Sequence, residues 1–347
     1  MSVQDLFGIE LPILQAPMAG VQGSALAVAV SQAGGLGALP CAMLSPEAIR
    51  SELAAIRAGT DRPYNLNFFC HQQPAPDAAR EAAWRATLGP YDREHAIDPA
   101  TIAAGPGRAP FSAALADLIE AFRPPVVSFH FGLPSAELVA RVKRWGARVL
   151  SSATTVDEAR WLEARGVDAV IAQGLEAGGH RGMFLSADID TQVGSFALLP
   201  QIVAAVKVPV IAAGGIADAR GVRAALALGA AGVQIGTAYL LCPEATTSPL
   251  HRAAIGSDAA RHTALTHLFT GRPARAIVNR LMRELGPLGA NPPAFPLATA
   301  AIAPLRAAAE AAGAPDFSPL WCGQNASGCR AIPAGELTRL LAGQRGA

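Results

Sequence analysis

Lysine is nearly missing from this chain: Lys143 and Lys207 are its only examples, and arginine carries the rest of the positive charge. A Schiff-base enzyme needs a lysine inside its site. Lys143 falls in a helical pattern and Lys207 precedes a strand, so neither reaches a glycine-rich strand end and Schiff-base aldolase chemistry is excluded. An excess of either charge is lacking too. Lysine and arginine number 28 against 27 acidic residues, a formal net charge of +1, which removes the electrostatic case for nucleic acid or an anionic membrane surface as a partner.

The five cysteines (Cys41, Cys70, Cys242, Cys322, Cys329) are scattered, odd in number and match no common zinc spacing. They read as reduced, mostly buried thiols. No HExxH helix or histidine–carboxylate cluster argues for a metal. No apolar run reaches spanning length, and Asp5 and Glu10 stand where a signal peptide would be basic. The expectation is a cytoplasmic monomer or homodimer that acts on small molecules. Aromatic residues are sparse at 5%, so the core of this half-apolar chain must come from alanine, glycine and branched aliphatics.

What is present is alternation. Short apolar runs at 11–15, 36–40, 64–70, 126–131, 148–152, 169–173, 208–213 and 232–235 read as strands. Helical segments lie between them, one opened by Ser45-Pro46-Glu47 with a serine N-cap and a proline at the first position. Further helical patches fall near 77–87 and 111–122. Eight strands with intervening helices predict an α/β fold of the (β/α)₈ TIM-barrel type rather than an open doubly wound sheet. The alternation fails from about Leu240, in a proline-rich stretch holding His251, His262 and His267. The division expected is a barrel over 1–239, with 310–347 packing back on it, and an irregular, partly helical cap over 240–309 inserted after strand eight. An extended excursion used for oligomer contacts is the alternative for that stretch.

In such barrels ligands bind at the C-terminal strand ends, and phosphate at the loops after strands seven and eight. Ala213-Gly214-Gly215-Ile216 and Gln234-Ile235-Gly236-Thr237-Ala238 occupy those places. Backbone N–H groups of Gly215, Gly236 and Thr237, with the Thr237 hydroxyl, are suited to a phosphate; alternatively the glycines only permit tight turns. Ala16-Pro17-Met18 after strand one, Asn67 on strand three and Gln173 at the end of strand six could wall and hydrogen-bond a flat heteroaromatic ring. Amides around a phosphate site suggest FMN, although either amide could be a barrel-layer residue satisfied internally.

After strand six comes Gly174-Leu175-Glu176-Ala177-Gly178-Gly179-His180-Arg181-Gly182, a glycine-dense loop that lets the chain pass close to a ligand. Its His180 and the strand-four His130 both face the barrel mouth and are the candidate catalytic residues. His71, His95, His251, His262 and His267 are expected at the surface.

Together these pieces resemble the nitronate monooxygenases, formerly 2-nitropropane dioxygenases. The matching stretches are Gln15 to Gly20, Asn65 to Phe69, Ser128 to Pro134, Ala172 to Gly182, Ala212 to Ile216 and Gln234 to Ala238. The tail Pro319-Leu320-Trp321-Cys322-Gly323-Gln324 is similar to the closing segment of the class I bacterial branch. The resemblance spans nearly the whole chain. Its glycine–histidine loop is shared with flavin enoyl reductases, whereas Ser-Phe-His-Phe-Gly and the Trp-Cys-Gly-Gln tail lean toward the monooxygenase.

The resemblance implies FMN-dependent oxidation of an alkyl nitronate, propionate 3-nitronate foremost, by O₂ to an aldehyde-level product with release of nitrite or nitrate. A protonated His180 would stabilise the anion; a neutral one could remove the α-proton of a nitroalkane. His130 could do the same less directly. An arginine from the cap would suit a substrate carboxylate, but the cap does not match the family residue by residue. The rival is an NAD(P)H-dependent flavin reductase, acting on an enoyl thioester or a quinone. A non-catalytic flavin-binding barrel would leave both histidines without a purpose. An inosine-monophosphate-dehydrogenase-like enzyme would need a loop cysteine that the stretch after strand six does not have.

Overall fold

Short apolar strands are joined by helical crossovers that return the chain to the next parallel strand, and seven such crossovers link the eight strands that close a barrel. The computed structural model describes residues 2–102 and 108–344. Its strands are β1 (Ile13–Gln15), β2 (Gly37–Pro40), β3 (Tyr64–Phe69), β4 (Val126–His130), β5 (Arg148–Ala153), β6 (Ala169–Gln173), β7 (Gly179–His180), β8 (Val210–Ala213), β9 (Gly232–Ile235), β10 (Thr263–Thr266) and β11 (Ala274–Ile277). The two-residue β7 lies outside the barrel, so the seventh and eighth barrel strands are β8 and β9. The eight barrel strands run in the order β1-β9-β8-β6-β5-β4-β3-β2, parallel throughout. A parallel bridge between Leu14 and Leu36 joins β1 to the start of β2 and completes the TIM barrel.

The barrel interior is filled by Leu14, Leu36, Val126, Leu150, Ile171 and Ile211, packed against Val3, Leu6 and Phe7. Those last three belong to a helix, Val3–Phe7, that seals the N-terminal end. Ser2 caps it by accepting from the Asp5 N–H at 3.1 Å, and Gly8 ends it at φ 68°. Five residues are too few to show a helical period, so the sequence pattern carries no trace of it. The β8 strand starts at Val210 rather than at Val208. Pro209 has no N–H, and the Val208 N–H donates to Glu163 Oε1 at 3.1 Å instead of to a neighbouring strand.

Above the barrel sits a second core. Trp84, Leu88 and Tyr91 of the helix Ala78–Glu94 pack with Leu268, Phe269, Leu281, Met282, Leu305 and Phe317. The segment after strand eight therefore shares its core with the β3-to-β4 connection. It is also less irregular than its prolines suggest, because β10 and β11 form an antiparallel hairpin that continues onto β7. Among the described residues no helix is long and apolar enough to cross a membrane.

Candidate active site

Every site residue singled out in the sequence lines one cavity at the C-terminal ends of the barrel strands. At its glycine-rich end, Gly214 and Gly215 have φ of 113° and 73°, conformations that favour glycine. The backbone N–H groups of Gly215, Gly236 and Thr237 donate to no backbone acceptor among the described residues. A Cβ on Gly236 would stand 3.3 Å from Ala16 Cβ and 3.5 Å from Met18 Sδ, so a larger residue would crowd the Ala16–Met18 wall. Free backbone donors at a helix start form a cradle for an anion, and Thr237 opens such a turn, Thr237–Leu241. The Thr237 hydroxyl accepts from the Gly323 N–H at 2.9 Å, so part of its capacity goes to the tail. Asn325 Nδ2 donates to the Gly215 carbonyl, also at 2.9 Å, and binds the tail to the same loop.

At the other end the amides and histidines hold one another. Asn67 Nδ2 donates to Ser128 Oγ at 2.9 Å. Gln173 Nε2 donates to the His180 carbonyl at 3.0 Å and Gln173 Oε1 accepts from the Gly182 N–H at 2.7 Å, so this amide positions the loop. His130 Nε2 meets the same carbonyl at 3.2 Å and Nδ1 meets Ser152 Oγ at 3.1 Å. Because a carbonyl only accepts, Nε2 of His130 carries the proton and Nδ1 accepts from Ser152. Met18 N–H donates to Gln22 Oε1 at 2.9 Å, which fixes the Pro17-Met18 turn.

His180 lies on β7, opposite Ala274 of β11. Its Nε2 sits 2.9 Å from Thr270 Oγ1, whose hydroxyl donates to the Arg272 carbonyl at 3.4 Å. That leaves Nε2 as the donor and Nδ1 with the lone pair. Aromatic rings enclose it: Phe295 and Trp321 lie 5.3 Å away, centroid to centroid. Burial, then the charges of Arg108 and Arg272, holds the His180 pKa well below the usual histidine value. Burial also depresses His130, to about 3. Both rings are neutral at neutral pH, so positive charge in this site belongs to arginine.

Several residues that hold the site had no local sequence signal. Arg181 is fully buried; it donates to Gln192 Oε1 at 2.9 Å and to the Gly174 and Gln173 carbonyls at 2.7 and 2.8 Å. Glu176 accepts from the Ser195 N–H at 2.8 Å and so caps the helix Ser195–Ala205. Phe131 adopts a left-handed φ of 70°, which ends β4 abruptly; its ring lies 3.9 Å from the Arg272 guanidinium. Two histidines expected at the surface are buried instead. His71 packs edge-on against Phe295 at 4.9 Å, and His251 Nε2 bonds the Trp321 carbonyl at 3.2 Å.

Comparison with known proteins places this geometry among relatives. A family model described as "Nitronate monooxygenase" matches residues 1–343. A "Nitronate monooxygenase" of Pseudomonas aeruginosa is 44% identical over 345 residues, 97% of this chain and 96% of the relative. The crystal structure of a nitroalkane oxidase from Streptomyces ansochromogenes superposes with a TM-score of 0.89 at 39% identity, covering 99% of this chain and 97% of that one. FabK from Thermotoga maritima is more distant, with a TM-score of 0.71 at 27% identity over 98% of this chain and 94% of its own.

Proposed function

The chain belongs to the nitronate monooxygenase family, and from that membership we propose that it uses FMN to oxidise a small alkyl nitronate with O₂. Propionate 3-nitronate is the substrate we favour, with an aldehyde-level product and nitrite or nitrate as the inorganic product. The observation that carries this reading is the neutral, aromatic-enclosed His180 set across one cavity from a cradle of free backbone N–H groups.

The residues fit the cofactor. Gly214, Gly215, Gly236 and Thr237 would hold its phosphate through backbone N–H groups. Ala16, Pro17, Met18, Asn67, Gly178, Gly179, Gln234 and Ile235 would flank the rest, with Gln173 contributing chiefly by fixing the loop. Bound FMN supplies the electron-accepting chemistry that no side chain can provide.

The chain's own part is then to bind and orient. His180 Nδ1 offers a base for the α-proton of any substrate that arrives as neutral nitroalkane, and its Nε2–H link to Thr270 fixes the ring. His130, with both nitrogens engaged, keeps the His180 carbonyl in place. The aromatic wall excludes water from the anion. We assign 1–239 to the catalytic barrel and 240–309 to the substrate-side cap, with the helix Ala78–Glu94 joined to the cap core. The five free thiols support a reducing, cytoplasmic setting.

The test is anaerobic mixing of purified yellow protein with propionate 3-nitronate. Reduction of the flavin absorbance by the nitronate is expected. Rapid bleaching by NADH, with none by nitronate, would overturn the reading in favour of an NAD(P)H-dependent flavin reductase.

A further inference from the structure

We propose that Arg108, from the β3-to-β4 connection and outside the segment 240–309, selects the substrate by binding a carboxylate at the end remote from the nitronate carbon. The proposal rests on the nitronate reading above and names the anchor for one substrate class within it.

Arg108 lines the same cavity as His180. Among the described residues, its buried Nη1 has no hydrogen-bond partner and no carboxylate pairs with it. The neighbouring residues 103–107 read Ala-Ala-Gly-Pro-Gly and bring no acidic side chain. The cavity's own acids are engaged elsewhere, Glu176 with Ser195 and Glu310 with Arg306 and Ser318. Burial lowers the Arg108 pKa, yet a guanidinium in this range stays charged at neutral pH. An unpaired cation withdrawn from water is costly, and an incoming anion would relieve that cost.

Its position decides which anion. The guanidinium lies 5.4 Å from the Phe295 ring centroid, and Phe295 in turn packs 5.3 Å from the His180 ring. Its Nη2 reaches Met43 Sδ at 3.9 Å, and Met43 is 53% exposed. Arg108 therefore stands on the mouth side of the aromatic wall while His180 stands inside it. A short chain with the reacting carbon at His180 would present its far end to the guanidinium, whose planar fork matches a carboxylate through two parallel hydrogen bonds.

The experiment compares Arg108→Gln and Arg108→Lys with the parent on propionate 3-nitronate and on ethyl nitronate, which has no carboxylate. Flavin content and melting temperature serve as controls for folding. Arg108→Gln is expected to raise KM for the carboxylated substrate roughly 10- to 100-fold, the loss of a charge-assisted hydrogen bond. Its loss on ethyl nitronate should be at least about tenfold smaller, and lysine should recover part of the deficit. Equal losses on the two substrates would overturn the proposal, because the arginine would then serve the nitronate group or the fold. No loss on either would also overturn it. In parallel, butyrate is titrated as an unreactive short carboxylate and followed by the change in flavin absorbance and in tryptophan fluorescence. Parent binding that weakens in Arg108→Gln upholds the anchor even if no nitronate is turned over, so the two readings fail separately. Equal affinity in both proteins, or no butyrate binding by the parent, counts against the anchor.

Discussion

Replacing His180 by asparagine distinguishes a base from a cation, because the structure assigns the ring a charge state. Burial and the neighbouring arginines hold its pKa below the ordinary histidine value. The sign follows: the ring is protonated only in acid, loses its proton as pH rises through the depressed pKa, and is neutral across the neutral range. A reaction that needs the free Nδ1 lone pair therefore rises with pH through the depressed pKa and is level across the neutral range. A reaction that needs an imidazolium would fall over the same interval.

The size of the effect depends on the substrate. Proton abstraction by a positioned base contributes about 10²- to 10⁴-fold, and the amide of His180→Asn has no basic nitrogen. On neutral nitroethane the variant is expected to lose that range. On preformed ethyl nitronate the proton is already gone, and the loss should be about tenfold, the worth of one positioning hydrogen bond to Thr270. Oxygen uptake on both substrates from about pH 5 to 8, normalised to bound flavin, gives the two ratios and the profile. Equal losses on both substrates, or a parent rate on nitroethane that declines as pH rises, would refute the assignment of His180 as a neutral base. Thr270→Val should show a weaker version of the same asymmetry, because it frees the ring that Nε2–H holds in place.

Other perturbations test the supports. Gly215→Val forces a β-branched residue into a left-handed φ of 73° and should yield colourless protein; stoichiometric flavin in a folded variant would sink the phosphate assignment. Arg181→Met removes three charge-assisted bonds at 2.7, 2.8 and 2.9 Å but also a buried cation. A net loss of about 2–4 kcal/mol is expected, read as a lower denaturation midpoint with reduced kcat; an unchanged midpoint would show that the loop is held without it. His130 makes stability pH-dependent. Its folded pKa of about 3 means that, as pH falls below about 6.5, the unfolded chain takes up a proton that the native ring refuses. By about pH 4.5 this costs about 2–3 kcal/mol relative to about pH 7.5. Urea midpoints at the two pH values should therefore differ less in His130→Gln than in the parent, and an equal difference would contradict the neutral buried ring.

The barrel and the mouth were legible because their signals are local. A strand of four to six residues followed by glycine announces its own C-terminal end. Gly214-Gly215 and Gly236-Thr237 could thus be paired across the sequence without knowing the contact between them. The same locality explains why Asn67, Gln173, His130 and His180 can be placed at the mouth from the sequence: each sits on, or just beyond, a readable strand.

What escaped depends on contacts between distant segments. No pattern near His180 shows that β11 will pair with it, and no pattern near Ala274 shows the converse. The burial of His71 and His251 depends on Phe295 and on the Trp321 carbonyl, both far along the chain. Arg108 sits in a proline- and glycine-bearing connection that lacks helical or strand periodicity, and its significance lies in an unmet charge that only the folded cavity reveals.

Arg181 marks the boundary. It stands beside His180 in the glycine-dense loop, and nothing in that stretch announces its structural part. Folded, it turns away from the cavity and spends its fork on the carbonyls of residues 173 and 174, which makes the loop rigid enough to aim its neighbour. Of the two arginines, the one in the loop is architectural, while Arg108, in a connection without periodicity, lines the cavity.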